Sequence, residues 1–209
     1  MPDQSLDGDV CLVLEGGMTL RAHSVYLQHA SAVLQSALQC APPQAQNGGQ
    51  AARDVSEGSL SAGERSIALT RLPLPGVTQR QAGLLVTCLY SWDRHAWCDT
   101  LSPPEIVELA RVSHRLACPL VLEMADNYMV QKCGVKQDVD KSADETRAWL
   151  TVADAPGQFE LAQQLHLTSY GELVGRFMGR HAHEIDTSMC TPETASILAG
   201  ARLIKRQKV

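Results

Sequence analysis

His23 is the first residue whose type and position could do chemistry, because it lies where a predicted strand gives way to a predicted helix. An imidazole there could be a metal ligand, a general base or a structural hydrogen-bonding group. A metal site needs three or four closely spaced ligands, and a base needs a nucleophile or an orienting acid nearby. The residues around His23 supply neither set. We therefore predict a structural histidine that forms hydrogen bonds across the joint, since buried polar groups must find partners.

Two other groups of residues could suggest a metal site. Cys88, His95 and Cys98 form a C-x6-H-x2-C pattern, but this spacing matches no recognised zinc module, and Cys88 lies on the apolar side of a predicted helix. Core thiols and a loop histidine are the favoured interpretation. His181 and His183 are two residues apart on a predicted helix, where their side chains point in different directions and cannot chelate one ion. We predict a solvated helix end there, no metal and no other cofactor.

Trp92 and Trp97 flank a predicted loop, SWDRHAWCDT, where exposed aromatic side chains can anchor a partner protein. The alternative is a loop that is held down by its own tryptophans, because burial of an aromatic ring is strongly favourable. The sequence contains no G-x-S-x-G and no H-E-x-x-H, and Gly16-Gly17 joins two predicted strands, whereas a phosphate-binding loop leads into a helix. No catalytic residues are predicted, and we expect that the protein is not an enzyme.

The composition narrows the function classes further. The chain has 209 residues, enough for one or two domains. Its net charge is −5, and the sequence contains no basic stripe of the kind that binds nucleic acid. No apolar run is long enough to span a membrane, and the polar start carries no secretory signal. Seven cysteines, an odd number without a C-x-x-C pair, predict reduced thiols in the cytoplasm or the nucleus. The basic end, LIKRQKV, is more typical of a solvated tail than of a localisation signal.

The hydrophobic pattern predicts a β-hairpin followed by helices. Residues 10–14 and 18–22 alternate as two short strands, and Gly16-Gly17 can supply the positive φ angles of the turn. From Ser24 the apolar residues recur at helical spacing, and Ser31 could cap a second helix within this run. Scarce aromatic residues, 4% of the chain, favour a core built by helix packing. The residues predicted to lie in this core include Leu27, Leu34 and Leu85.

Polar segments and helices alternate in the rest of the chain. Residues 40–66 hold Pro-Pro, Gly-Gly and small polar residues, and they are predicted to form a flexible insertion. A third strand is predicted at 67–72, and Ser102-Pro-Pro-Glu105 fits a capping box that opens a helix. Residues 133–144 form a polar linker. Helices are predicted at 78–92, from Ser102, from Pro119, at 144–155, 156–165 and 169–184, and from Thr191 into the basic tail.

A short sequence pattern is repeated in two of these helices. The pattern Glu108-Leu-Ala followed by His114 recurs as Glu160-Leu-Ala followed by His166, and each copy is followed by a second helical run. Two helical hairpins in series are predicted, and they should stack so that each covers the apolar face of the other.

The start of the chain resembles the BTB/POZ domain family. That family begins with Asp-Val and an alternating strand, continues with a turn and a strand that ends in Ala-His, and then has Leu and a Ser-x-Val motif in its first helices. Tyr90-Ser91-Trp92 takes the place of the family's Tyr-Thr-Gly after the third helix. The resemblance covers residues 9–131, with 40–66 as an insertion, and 144–207 resembles the helical BACK-like (three-box) extension that follows many such domains. The matching residues are Asp9, Val10, Ala22, His23, Leu27, Ser31, Val33 and Tyr90.

The resemblance implies an α+β fold, with a small three-stranded sheet capped by helices and an all-α extension. It also implies protein partners: a homodimer and, in many members, a cullin scaffold to which the domain brings a substrate for ubiquitin ligation. The family's cullin-binding motif is a hydrophobic residue, then any residue, then an acid; it falls at Val77-Thr78-Gln79, so Gln79 replaces the acid. We predict partner contacts at Val77, Gln79, Trp92 and Trp97. The alternative is a self-associating or regulatory scaffold without a ligase connection.

Overall fold

The computed structural model describes residues 8–41, 69–91, 93–134 and 150–207. They belong to two compact units, Met1–Tyr90 and Ser91–Val209, and each is described separately below. The predicted domain bounds, 9–131 and 144–207, stay a prediction. The insertion at 40–66 apart from its first two residues, Trp92, the side chain of His95, most of the predicted linker and the start of the predicted helix 144–155 lie outside the described residues.

A small mixed sheet forms the centre of the first unit, in agreement with the predicted α+β class. Its strands are β1 (Val10–Val13), β2 (Thr19–Ala22) and β3 (Thr70–Pro73), in the order β2-β1-β3. The β1 and β2 strands are antiparallel, with Leu12 opposite Leu20, whereas β1 and β3 are parallel, with Leu12 opposite Leu72. Val10 and Leu12 are almost completely buried, so the middle strand carries the core of the sheet.

The turn between β1 and β2 confirms the prediction made for the two glycines. Gly16 and Gly17 have φ angles of 74° and 76°, a region that favours glycine because it has no Cβ atom. They lie in a short 3-10 segment, Glu15–Gly17, and the Leu14 amide donates to the Met18 carbonyl over 2.8 Å to close the hairpin.

The β3 strand ends one residue later than predicted, at a proline, and the first two residues of the predicted strand, 67 and 68, lie outside the described residues. Pro73 has no amide hydrogen, but it pairs with Val13 on the edge of the sheet, where a proline is tolerated. The backbone hydrogen bonds between β1 and β3 continue at the next residue, where the Leu74 amide donates to the Val13 carbonyl over 2.8 Å.

Three helices pack on this sheet, and they contain the predicted core residues. They are α1 (Ser24–Ala30), α2 (Ala32–Cys40) and α3 (Gln79–Tyr90). Leu27, Leu34 and Leu85 are each at most 2% exposed, which confirms that their helices were assigned the correct buried face. The α3 helix begins where it was predicted to, because the Gln81 amide donates to the Thr78 hydroxyl and the Thr78 amide donates to the Gln81 side chain.

The described residues of the second unit form helices and the turns between them, and they contain no strand. The prediction that SWDRHAWCDT is a loop was wrong, because most of it forms a short helix, α4. Asp93 caps this helix by accepting a hydrogen bond from the Ala96 amide over 2.9 Å, and the side chain of Cys98 is buried in the core. The helices are α4 (Arg94–Asp99), α5 (Pro103–Arg115), α6 (Pro119–Gly134), α7 (Ala155–Gln164), α8 (Thr168–Arg180) and α9 (Pro192–Gln207). None of the helices that the structure describes is long and apolar enough to cross a membrane.

The two predicted helical hairpins are present as α5–α6 and α7–α8, and they pack through α6 and α8. Both turns have the same geometry. Ala117 and His166 adopt positive φ angles of 48° and 56°, and the residue after each donates back to the helix, from Cys118 to Ser113 and from Leu167 to Ala162, over 2.8 Å in both cases. His166 is therefore equivalent to Ala117 in the structure. The repeated sequence pattern, which pairs His166 with His114, is three residues out of register with this structural equivalence.

Candidate protein-interaction surface

His23 is held at the strand–helix joint by Tyr90, as a structural histidine should be. It is the residue before α1, and its backbone amide donates to the Tyr90 hydroxyl over 2.7 Å. Its Nδ1 atom lies 2.6 Å from the same hydroxyl oxygen. The His23 amide, the Tyr90 hydroxyl and Nδ1 all have partners when the hydroxyl donates a hydrogen bond to Nδ1 and the neutral ring carries its proton on Nε2. The bonds join the start of α1 to the last residue of α3.

Asp9 satisfies the next exposed amide of the joint. Its two carboxylate oxygens accept hydrogen bonds from the amide of Ser24, over 2.7 Å, and from the Ser24 hydroxyl, over 2.6 Å. The first amides of a helix have no partner inside it, so a carboxylate from the residue before β1 takes the capping role. Burial raises the pKa of the Asp9 carboxyl, but the two bonds from Ser24 outweigh this effect, and the pKa lies below its ordinary value.

Aromatic rings cover the same joint. The ring centroid of Tyr26, in the first turn of α1, lies 4.5 Å from that of Tyr90, and the His23 ring lies 5.7 Å from Tyr90. Burial raises the pKa of the Tyr90 hydroxyl, and the hydrogen bond from the His23 amide reduces this rise without cancelling it. The phenol therefore stays protonated at neutral pH.

Ser31 separates the first two helices and starts the second. Its backbone is extended, with φ of −154°, and its hydroxyl oxygen accepts hydrogen bonds from the amides of Val33 and Leu34, each over 3.1 Å. The side chain is almost completely buried. This confirms the predicted cap and explains why the helical run from Ser24 forms two helices instead of one.

Val33 is different from the buried motif residues, because about half of its side chain is exposed to solvent. It is 51% exposed, whereas Val10, Leu27 and Ser31 are buried. Two further apolar side chains on α1 are similarly exposed, Val25 at 52% and Tyr26 at 45%, and Met18 lies just before β2 with 47% exposed. We call Met18, Val25, Tyr26 and Val33 the first-helix surface.

The helices that bear Val25, Tyr26 and Val33 carry no formal charge at neutral pH. The chain from Ala22 to Ala52 contains no Asp, Glu, Lys or Arg, although these residues make up 20% of the whole protein. A surface helix that faces only water normally presents charged side chains on its outer face. Depletion of charge with exposed apolar residues is instead typical of the centre of a protein–protein interface.

The residues predicted to contact a partner lie in contrasting environments. Val77 is completely buried, and its carbonyl accepts a hydrogen bond from the Glu15 amide over 3.0 Å, so its side chain belongs to the core of the first unit. Gln79 is exposed at the start of α3. In the second unit, Trp97 is half-buried and packs against the core, which favours the alternative of a segment held down by its own tryptophan.

The residues that suggested a metal site form other contacts. Cys88 and Cys98 are both buried, as predicted for core thiols, and burial, with a smaller contribution from Asp99, raises the pKa of the Cys98 thiol to about 11. His181 and His183 lie in a turn, because α8 ends at Arg180, short of the predicted Glu184. Each has a ring nitrogen 3.1 or 3.2 Å from the same Glu184 oxygen. Among the described residues, no three His, Cys, Asp or Glu side chains are grouped so that they could hold a metal ion.

Two contacts in the second unit were not predicted. Asp126 of α6 is buried and accepts hydrogen bonds from the amides of Ser169, over 3.0 Å, and Tyr170, over 2.8 Å, in the first turn of α8. Arg202 of α9 donates to the carbonyls of Ala182 and Ile185, over 2.7 and 2.8 Å, in the turn after α8. The bonds from Asp126 satisfy free amides at the start of α8, and the bonds from Arg202 hold the turn that follows α8.

No protein-family model matches the chain, and no curated protein matches it in sequence.

Proposed function

We propose that this protein is a non-enzymatic protein-interaction module that associates with other proteins through the first-helix surface. The observation that carries this proposal is the uncharged, apolar exposed face of α1 and α2. Val25, Tyr26 and Val33 are each about half exposed on a stretch without Asp, Glu, Lys or Arg. Removing apolar surface from water is favourable by about 25 cal/mol per Å², so a partner that covers this face would be stabilised by the contact.

The most specific form of the proposal is a BTB/POZ-type domain with a BACK-like helical extension. Its support is the combination of the resemblance at residues 9–34 with the order hairpin, two helices, parallel third strand and α3. The motif residues also have structural roles in this fold, since Asp9 and Ser31 cap helices and His23 contacts Tyr90. Such a domain would act in the cytoplasm or the nucleus, with proteins as its partners.

The partner that the surface fits best is a second copy of this chain. In a symmetric dimer the same uncharged face meets itself, and two faces without charge can pack without leaving an unpaired ion at the centre. The test is the mass of the purified protein by light scattering at micromolar concentration. A dimer is the expected result, and a clean monomer would remove the dimer from the proposal.

The second candidate role is that of an adaptor which links a substrate to a cullin-type ubiquitin ligase. Gln79 is exposed at the start of α3, where a partner could reach it, but it offers a neutral amide in place of an acid. A charge-assisted hydrogen bond contributes about 1.5–3 kcal/mol, so binding should be weak in the wild type and stronger in Gln79→Glu.

Titration calorimetry against the N-terminal part of a cullin tests the adaptor role. No heat from either wild type or Gln79→Glu at high micromolar concentration would exclude it and leave the scaffold without a ligase connection. Val77→Asp is unsuitable as a binding test, because a charge at this buried position would unfold the first unit. Gln79→Ala is the appropriate control, since it removes the amide from an exposed position without burying a charge.

A further inference from the structure

We draw no further inference here: the strongest candidate, the open groove between α7 and α8 that is floored by Gly171 and Gly175 and edged by Glu172 and Arg176, carries nothing because nothing in the structure shows what covers it.

Discussion

The amide nitrogen and the Nδ1 atom of His23 lie 2.7 and 2.6 Å from a single oxygen atom, the hydroxyl of Tyr90. The hydroxyl accepts a hydrogen bond from the amide and lies within hydrogen-bond distance of Nδ1, so one oxygen atom satisfies two polar groups at the joint between β2 and α1. Because Tyr90 is the last residue of α3, this oxygen also fixes the end of α3 against the start of α1.

Tyr90→Phe should therefore destabilise the first unit. The ring and its packing remain, but the His23 amide and Nδ1 lose their partner in a half-buried place, which we expect to lower the free energy of unfolding by about 1–2 kcal/mol. Tyr26→Phe is the matched control: its ring packs on Tyr90, but its hydroxyl forms no hydrogen bond with another described residue, so a change below about 0.5 kcal/mol is expected. Urea unfolding of the two variants measures the difference. Equal effects would show that the hydroxyl of Tyr90 is not the important group.

Stability should depend on the ionisation of Asp9 at acid pH. Its pKa is lowered in the folded protein, so the carboxylate adds stability at any pH above the unfolded value of about 3.9, and this contribution is lost as the pH falls through the folded value. Asp9→Asn should be less stable than wild type at pH 7 by about 1 kcal/mol, and the two proteins should converge as the pH falls through the folded pKa of Asp9.

Thermal unfolding at a series of pH values checks this dependence. Glu123→Gln is the control, because Glu123 is exposed on α6 and forms no hydrogen bond with another described residue. A gap between wild type and Asp9→Asn that stays constant down to the lowest pH would contradict an ionised cap at Ser24.

Asp126→Ala should be the most destabilising of these changes. It removes a buried acceptor from two amides at the start of α8, and we expect a loss of about 2–4 kcal/mol, since buried donors left without a partner are costly. Asp126→Asn keeps one acceptor oxygen and should lose less. Asn127→Ala, at an exposed position on the same helix, should change the free energy of unfolding by less than about 0.5 kcal/mol. Similar denaturation midpoints for Asp126→Ala and Asn127→Ala would show that α8 does not need this cap.

Features with a local sequence signal could be predicted, and features that depend on distant residues could not. Ser31 and Ser102 contact residues only a few positions ahead, so their caps were predicted from spacing alone. Asp126 bonds to Tyr170, which is 44 residues away, and no short pattern links the two. The α4 helix had a local signal in its cap, Asp93, but six residues are too few for a helical period to be recognised. The exposure of Val33 could not be predicted from the sequence, because an apolar motif residue is expected to lie in the core.

Ala117→Gly should stabilise the second unit. Ala117 has a φ angle of 48°, in the left-handed region that costs an ordinary residue about 1–2 kcal/mol, and glycine avoids most of this cost. Part of the gain is offset by the greater freedom of glycine in the unfolded chain, so the expected net change is about 0.5–1 kcal/mol. Ala201→Gly, inside α9, should instead destabilise by about 1 kcal/mol. Thermal unfolding should move the two variants in opposite directions, and a loss of stability in both would mean that the turn does not strain Ala117.

Val33→Asp should abolish self-association without unfolding the protein. Val33 is 51% exposed and is the second residue of α2, where an acidic side chain interacts favourably with the helix dipole. Its amide would still donate to Ser31, so the fold should lose less than about 0.5 kcal/mol. In a dimer through the first-helix surface, however, the two copies would each bring a charge into the interface.

Leu120→Asp is a matched control, because Leu120 is 62% exposed and is the second residue of α6 in the other unit. Light scattering at several concentrations should give a monomer for Val33→Asp and the wild-type mass for Leu120→Asp, with cooperative thermal unfolding retained in both variants. A dimer that persists in Val33→Asp would exclude an interface centred on α2, and a monomer in both variants would show that the first-helix surface is not the specific contact.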